Sequence, residues 1–359
     1  MKLGILILAA GQGTRMKSSM PKVLHGIAGK PMLAHVIETA QQLNPAEIVV
    51  VYGHGGEQVR QRLSDYDVAW ALQEQQLGTG HAVMQGMAAL QSVDKVLVLY
   101  GDVPLIQTDT LQQLIAASME TAIGMLTVRM KNPQGYGRIV RDEFERIIRI
   151  VEHKDASADE LTIDEINAGI MIMAQPELTV WLNALNNDNV QSEYYLTDII
   201  DMAVDDGHVV ASVQPHAPEE VEGVNDRAQL AMMERLMQRR QARQLMLQGV
   251  TLMDPERVDI RGSVYAAEDV AIDVNVILEG EVVVGRGVSI GANCVLRNCS
   301  IGENVTILEN CVIEDAEIGS ECQIGPFSRI RPGTVLSEAC RIGNFVELKN
   351  ALVDQGSKI

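Results

Sequence analysis

Hydrophobic residues in the first 225 positions follow two alternating patterns. Short, almost continuous apolar runs occur at Gly4–Ala10, Ile48–Tyr52 and Lys95–Tyr100. Runs of this kind are typical of parallel strands that are buried on both faces. Between them, apolar residues recur at helical spacing in segments such as Met32–Gln42 and Thr79–Leu90. The alternation predicts an α/β domain, whose ligands are expected at the carboxyl ends of the strands.

A single long helix is predicted from Asp226 to Gln248. Leu, Met and Ala recur in this segment at helical spacing, and neither Pro nor Gly interrupts it. Gly249 stands where a glycine that terminates a helix belongs. We expect residues 226–249 to link an N-terminal domain of residues 1–225 to a C-terminal domain of residues 250–359.

A six-residue repeat begins after the helix. An aliphatic side chain recurs at every sixth position, with two five-residue steps, and only Ala266 departs from Ile, Leu or Val. Such a repeat is the mark of a parallel β-helix, in which each coil stacks its aliphatic residue on the next. The repeated positions are Ile260, Ala266, Ile272, Leu278, Val284, Ile290, Leu296, Ile301, Ile307, Ile313, Ile318, Ile324, Ile330, Leu336, Ile342 and Leu348.

The five cysteines belong to the same repeat. Each lies two residues before an aliphatic position, where other repeats carry Val, Ala, Ser or Thr. Because free Cys packs as a small hydrophobe, we interpret these residues as inward filler of the coils. An odd number argues against a disulfide framework, and the absence of a CxxC pair argues against a metal site. The cysteines are Cys294, Cys299, Cys311, Cys322 and Cys340.

Composition narrows the class of protein further. The chain has 48 acidic residues against 29 Lys and Arg, a net charge of −19, which argues against a nucleic-acid-binding protein. No apolar run approaches the ~20 residues of a membrane-spanning helix. The run at Leu3–Ala10 leads directly into a glycine loop, which favours a buried strand over a signal peptide. We expect a cytoplasmic protein of two domains.

The glycine loop at residues 11–15 (GQGTR) is the first candidate for chemistry. A Rossmann fingerprint would need glycine at position 16, where Met16 stands, and a Walker A loop would need Gly-Lys-Ser/Thr. What remains is a loop of backbone N–H groups with two cations, Arg15 and Lys22, which suits a nucleoside triphosphate. Taken alone, the two glycines are also compatible with an ordinary turn.

Further motifs follow the loop in a fixed order. They are Gln73 with LGTGHA at 77–82, YGDVP at 100–104, GYGR at 135–138 and VEHK at 151–154. With the hexapeptide repeat, the whole chain resembles the family of bifunctional bacterial N-acetylglucosamine-1-phosphate uridyltransferases/glucosamine-1-phosphate acetyltransferases. The resemblance implies an α/β nucleotidyltransferase domain with a Rossmann-like, mostly parallel sheet, then a left-handed parallel β-helix. It also implies a homotrimer.

The reaction that the resemblance implies is nucleotidyl transfer. N-acetylglucosamine 1-phosphate and UTP would give UDP-N-acetylglucosamine, a precursor of cell wall and lipopolysaccharide, and pyrophosphate, with Mg²⁺ as the cofactor. Arg15 and Lys22 would be the catalytic cations, and Asp102 and Asn225 the Mg²⁺ ligands; alone, Asp102 could equally be a turn or helix-cap residue. The implied nucleotide-binding residues are Leu8, Ala9, Ala10, Gly11, Gln73, Gly78 and Thr79, and the implied sugar-binding residues are Tyr100, Gly101, Asp102, Gly137, Glu152, Asn167 and Asn225.

A second activity is implied for the β-helix, the acetylation of glucosamine 1-phosphate by acetyl-CoA. Arg331 and Lys349 match the cations that bind the sugar phosphate in the family. A histidine general base is expected there, but none of the seven histidines lies in the repeat. The chain ends at Ile359, a few residues before the family's histidine and acetyl-CoA region. We therefore expect a C-terminally shortened member that lacks acetyltransferase activity.

Two other interpretations are weighed against this one. A glucose-1-phosphate thymidylyl-, uridylyl- or adenylyltransferase would keep the same architecture, but Glu152 and Asn167 with the Arg331/Lys349 pair favour the N-acetylglucosamine enzyme. A non-catalytic subunit built from the same two domains is expected to have lost Lys22, Asp102 or Asn225. All three are present.

Overall fold

The computed structural model describes residues 1–53 and 55–359, which form two compact units. The first unit comprises Met1–His25 and Pro31–Gln229, and the second comprises Gly26–Lys30 and Leu230–Ile359. In these described ranges, no helix combines the length and the apolar character that a membrane crossing requires.

The first part of the chain alternates strands and helices, as its hydrophobic pattern predicts. Its strands are β1 (Leu3–Ala9), β2 (Gly26–Ile27), β3 (Lys30–Pro31), β4 (Glu47–Gly53), β5 (Ala69–Gln73), β6 (Lys95–Tyr100), β7 (Ile123–Arg129), β8 (Arg138–Arg141), β9 (Ile147–Val151), β10 (Glu165–Ala174) and β11 (Val210–Val213). Its helices are α1 (Met32–Gln41), α2 (Glu57–Arg62), α3 (Thr79–Ala89), α4 (Thr108–Ala117), α5 (Gln175–Ala184) and α6 (Ile199–Asp205).

A nine-stranded sheet organises the first unit. Its main path runs β11-β7-β10-β6-β1-β4-β5, and β8 and β9 branch from β10. Strand β1 is parallel to both β4 and β6, whereas β10 runs antiparallel to β6 and β7. The predicted mostly parallel sheet is therefore confirmed, with one long antiparallel strand that the sequence pattern did not indicate.

Strand β1 lies in the interior of this sheet, between β6 and β4, and is buried along its whole length. Alternate side chains of a strand point to opposite faces, so one strand supplies two cores. Ile5 and Ile7 pack in one cluster of buried residues, and Leu6 and Leu8 pack in the other. This double burial explains why the run is apolar without alternation.

The carboxyl ends of three strands bring their following loops to the same edge of the sheet. Leu8 of β1 is paired with Tyr100 of β6, and Gly53 at the end of β4 is paired with Gln73 at the end of β5. The glycine loop, the segment after Gln73 and the segment after Tyr100 therefore start side by side. This edge is where ligands bind in open α/β sheets.

A helix, α7 (Arg227–Leu247), follows, and its bounds lie within one residue of those predicted. Gly249 has a φ of 96°, as expected of a glycine just past a helix end. The strands beyond it are β12 (Thr251–Leu252), β13 (Val258–Ala266), β14 (Ala271–Ile272), β15 (Val276–Val284), β16 (Ser289–Ile290), β17 (Val295–Ile301), β18 (Thr306–Ile307), β19 (Val312–Glu314), β20 (Glu317–Ile318), β21 (Gln323–Ile324), β22 (Arg329–Ile330), β23 (Val335–Leu336), β24 (Arg341–Ile342), β25 (Glu347–Leu348) and β26 (Leu352–Val353).

These strands form the predicted parallel β-helix. Ile277 pairs with Val295, 18 residues later, and Val295 pairs with Val312, 17 residues later, so a five-residue step shortens one coil by one residue. The repeated aliphatic residues lie in one core, with Ala266 and Leu348 partly buried against it. All five cysteines are buried and free, which confirms that they are structural filler of the coils.

Candidate functional site

A cavity of about 230 Å³ opens at the carboxyl edge of the sheet. It brings together all seven residues predicted to bind the nucleotide with three of the residues predicted for catalysis or sugar binding. The residues that line it are Leu8, Ala9, Ala10, Gly11, Lys22, Val23, Gln73, Gln76, Gly78, Thr79, Ala82, Tyr100, Asp102 and Glu193.

A cluster of cations and oxygen atoms lies at one end of this cavity. The Lys22 ammonium forms a salt bridge with Asp102 Oδ2 and lies 3.4 Å from Asn225 Oδ1. The Arg15 guanidinium donates a hydrogen bond to the same Asn225 oxygen at 2.9 Å. The structure thus joins four predicted residues, Arg15, Lys22, Asp102 and Asn225, into one constellation.

Backbone contacts hold this constellation in place. Val224 N–H donates to the Asp102 carbonyl at 2.9 Å, which sets Asn225 beside Asp102 although the two are distant in sequence. Gly13 has a φ of +59°, and a Cβ there would lie 2.6 Å from the Lys22 Cβ. Only glycine allows the loop to pass Lys22 this closely in that conformation.

Another part of the cavity lining is built around Gln73, the last residue of β5. Its side chain is 3% exposed, and its Nε2 lies 3.2 Å from the Gly78 carbonyl and 3.0 Å from His81 Nδ1. Gly78 has a φ of +106°, and a Cβ there would lie 2.6 Å from the Tyr194 carbonyl oxygen. Tyr194 N–H donates to the Leu77 carbonyl at 2.8 Å, so this loop is clamped by its backbone.

Glu152 is a partly buried carboxylate beside the cavity wall. Burial raises the pKa of Glu152 above its ordinary value, and the nearby charges of Asp155 and Glu193 add to the shift. The Thr197 hydroxyl donates to Glu152 Oε1 at 2.9 Å, which opposes it. Burial also raises the pKa of Tyr100, and the negative charges of Glu152 and Asp102 raise it further. Glu152 is therefore a desolvated acceptor suited to a neutral hydroxyl or amide donor.

Gly137 and Asn167 lie against the same region. Asn167 N–H donates to the Gly137 carbonyl at 2.9 Å, and Asn167 Oδ1 accepts from Gly169 N–H at 2.8 Å. A Cβ at Gly137 would lie 3.5 Å from Glu152 Oε1, and one at Gly169 would lie 2.7 Å from the Tyr100 ring. The predicted sugar-binding residues, including Gly101 directly after Tyr100, thus share one neighbourhood.

Over residues 1–53 and 55–359, no group of three or more His, Cys, Asp or Glu side chains is placed to hold an ion. Asp102 and Asn225 nonetheless turn one carboxylate and one amide oxygen toward a single cation, the Lys22 ammonium. A divalent ion such as Mg²⁺ takes oxygen ligands and often has only one or two from protein, so this donor set fits it.

Arg331 and Lys349 are neighbours on adjacent coils of the β-helix. Arg331 follows Ile330 and Lys349 follows Leu348, and these two aliphatic residues are paired. The backbone N–H of Arg331 donates to the Leu348 carbonyl at 2.8 Å. The Arg331 guanidinium also forms a 2.7 Å salt bridge with Glu347. The structure therefore places the two predicted cations side by side on the outside of the coil.

Sequence reasoning missed several residues of the site. His81 lies in the LGTGHA motif but has no predicted role, and Thr197 is not among the predicted site residues. Gln76 Nε2 contacts the Ala10 carbonyl and lines the cavity. Arg138 is 2% exposed and donates to the Pro133 carbonyl at 2.7 Å, which holds the loop before Gly137. Polar side chains that contact backbone carbonyls leave no periodic signal in a sequence.

Comparison with known proteins agrees with both halves of the chain. Residues 5–162 match a MobA-like NTP transferase domain, and residues 260–359 match a GMPPB C-terminal domain. The bifunctional protein GlmU of Pseudomonas putida (strain GB-1) is 54% identical over 359 residues, which cover 100% of this chain and 79% of that protein. The chain belongs to the GlmU family.

Other relatives support the same assignment. The GlmU protein of Idiomarina loihiensis is 52% identical over 358 residues, which cover 100% of this chain and 78% of that protein. A solved UDP-glucose pyrophosphorylase complexed with UDP-glucose shares 16% identity, with a TM-score of 0.54, over 67% of this chain and 100% of that one. That last likeness concerns the fold alone. The GlmU-family assignment rests on the identity along the entire chain.

Proposed function

We propose that this chain transfers UMP from UTP to N-acetylglucosamine 1-phosphate, giving UDP-N-acetylglucosamine and pyrophosphate. Its place in the GlmU family and its NTP transferase domain support a nucleotidyltransferase with nucleotide-sugar products. The observation that carries the proposal is the constellation of Arg15, Lys22, Asp102 and Asn225 at the edge of a cavity lined by the glycine loop.

The reaction is a displacement at phosphorus. A phosphate oxygen of N-acetylglucosamine 1-phosphate attacks the α-phosphorus of UTP, a new P–O bond forms, and the bond to pyrophosphate breaks. Both reactants are anions, so the protein must hold them in line and neutralise the charge that develops. Lys22 and Arg15 supply positive charge at this point, and no protein nucleophile is required.

We infer that the metal ion is Mg²⁺ and that Asp102 and Asn225 hold it. When bound, the ion neutralises charge on the phosphate oxygens. Lys22, which contacts both of these residues, is then placed to neutralise charge on the transferred phosphate. In this chain of net charge −19, the attraction for anionic substrates is local to the site.

Binding roles follow from different parts of the cavity. Gln73, Gly78 and Thr79 form the part proposed for the uracil base, and residues 8–11 pass over the nucleotide. The N-acetylglucosamine moiety is proposed to lie against Tyr100 of the cavity wall and the neighbouring residues Gly101, Gly137, Glu152 and Asn167. Glu152, as a partly buried acceptor, would take a hydrogen bond from a sugar hydroxyl or amide.

The β-helix carries a separate proposal. We assign Arg331 and Lys349 to the phosphate of glucosamine 1-phosphate, the substrate of acetyl transfer from acetyl-CoA in the GlmU family.

We also propose residues 1–225 as the transferase domain, 226–249 as the linker and 250–359 as the β-helix domain of a cytoplasmic homotrimer. Sedimentation equilibrium tests the assembly, because a mass of one chain would contradict a trimer.

A panel of substrates tests the transferase proposal. Pyrophosphate release is measured with UTP, dTTP, CTP, ATP and GTP, each paired with N-acetylglucosamine 1-phosphate and with glucose 1-phosphate. We expect the highest kcat/KM for UTP with N-acetylglucosamine 1-phosphate. A preference for glucose 1-phosphate would favour the glucose-1-phosphate nucleotidyltransferases, and no release with any pair would favour a non-catalytic subunit.

A further inference from the structure

The Gln73 side-chain amide has only one orientation that satisfies its neighbours. A backbone carbonyl oxygen can only accept, so the amide atom 3.2 Å from the Gly78 oxygen must be the nitrogen. The same nitrogen lies 3.0 Å from His81 Nδ1, which must accept its second N–H.

The histidine is held by its own surroundings. It belongs to helix α3, and its Nδ1 lies 3.0 Å from Gln73 Nε2. The Tyr194 ring lies 6.4 Å from the His81 ring, tilted by 34°. The residue thus has contacts along both its ring edge and its ring face.

The orientation decides what Gln73 can offer to a base. Both N–H groups of its amide are used by Gly78 and His81, and the side chain lines the cavity, so its carbonyl oxygen is the group that remains. A carbonyl oxygen can accept the N3–H of uracil. Cytosine has an unprotonated N3 at the same place, and two acceptors facing each other repel.

We propose that His81 is a positioning residue that holds the Gln73 amide in this orientation and thereby makes the nucleotide site select uracil over cytosine. The proposal rests on the proposed function, because it takes the base to be the pyrimidine of UTP. Without an acceptor at position 81, the Gln73 amide can rotate and present N–H to the base. Selection by hydrogen bonding reaches several orders of magnitude when the polar groups of a site are fixed.

The test compares kcat/KM for UTP and CTP, with N-acetylglucosamine 1-phosphate as acceptor, in the full chain. His81→Phe keeps a ring against Tyr194 but removes the acceptor, and we expect its UTP/CTP ratio to fall about tenfold or more. His81→Asn places an amide oxygen close to the position of Nδ1, and we expect it to keep the ratio within about threefold of wild type. His81→Ala replaces His81→Phe if the latter does not fold, and the same fall is expected.

An unchanged ratio in His81→Phe would overturn the proposal. An equal fall in His81→Phe and His81→Asn would also overturn it, because loss of packing alone would then explain the effect. A wild-type chain that shows no preference for UTP would contradict the proposed function itself, and this result is distinct from either outcome for the His81 variants. Thermal unfolding of each variant shows whether the protein is folded under the assay conditions.

Discussion

Lys22 stands between two oxygen atoms that come from distant parts of the chain. Asp102 follows strand β6, and Asn225 precedes helix α7, yet both direct their side chains to the Lys22 ammonium. The Lys22 side chain is 11% exposed, so its charge is only weakly screened by water. A cation held in this way is well placed to stabilise negative charge that develops on a transferred phosphate.

We expect Lys22→Ala to lower kcat by roughly 10²-fold or more, the scale of one charge-stabilising group in a preorganised site. Pyrophosphate release under saturating substrates measures the change. Lys17→Ala is the matched control, because Lys17 is exposed on the same loop and should change kcat less than about twofold. A loss confined to KM would contradict a role in the transition state.

A second prediction concerns pH and the carboxylate of Asp198. Burial, together with the charges of Asp201, Glu152 and Asp155, raises the pKa of Asp198 from 3.8 to about 6. The folded state therefore holds this proton more tightly than the unfolded state. The stabilisation that comes from this tighter proton binding is complete below pH 3.8 and is lost as the pH rises through 6.

Asp198→Asn removes the charge and should raise the melting temperature at pH 7.5 by a few degrees, about the shift expected for 1 kcal/mol in a domain of this size. The difference between variant and wild type should vanish near pH 4, where the wild-type carboxyl is already neutral. Calorimetry at the two pH values measures it. An equal difference at both would show that the charge is not the cause.

Motif residues of the site were predictable from the sequence, whereas their partners were not. Gln73, Asp102 and Glu152 stand in short ordered motifs and were predicted from the resemblance. His81 and Thr197 act through contacts with Gln73 and Glu152 that only the folded chain creates. A partner chosen by tertiary packing has no fixed spacing from the residue that it supports.

At the scale of secondary structure, the β-helix was the element best predicted from its pattern. A six-residue repeat identifies both the inward positions and the coil length, and the structure confirms both. Strand direction could not be predicted in the same way. Strand β10 is antiparallel, but buried parallel and antiparallel strands have the same hydrophobic pattern. Lys95 shows another limit, since it begins a strand yet is 7% exposed and donates to the Thr121 carbonyl at 2.7 Å.

The repeat makes a stability prediction for the coils. Ile324 is fully buried in the aliphatic column, and Ile324→Ala should lower the free energy of unfolding by about 2–5 kcal/mol. Gln323→Ala is the matched control, because Gln323 is the neighbouring residue of β21 and is exposed. We expect the control to change the free energy by less than about 0.5 kcal/mol. Urea unfolding measures both, and equal effects would contradict the inward assignment.

At the scale of the whole molecule, the chain combines an α/β unit that carries a nucleotide site with a unit built on a β-helix. The order of the elements and the class of each part were predictable from hydrophobic period alone. The assignment of Gly26–Lys30 to the second unit was not, because five residues carry too little pattern to show where they pack. The net charge of −19 likewise did not predict the cluster of cations that the reaction needs at the site.

We propose that the constellation of Arg15, Lys22, Asp102 and Asn225 catalyses the formation of UDP-N-acetylglucosamine. The most direct measurement is the rate of formation of this product from UTP and N-acetylglucosamine 1-phosphate with Mg²⁺, for wild type, Asp102→Asn and Asp109→Asn. Asp109 is an exposed acid in the first turn of α4 and serves as the control. We predict product from wild type, a loss of about 10²-fold or more in a folded Asp102→Asn, and less than a twofold change in Asp109→Asn. Wild-type turnover in Asp102→Asn, or no product from the wild-type chain, would contradict the account.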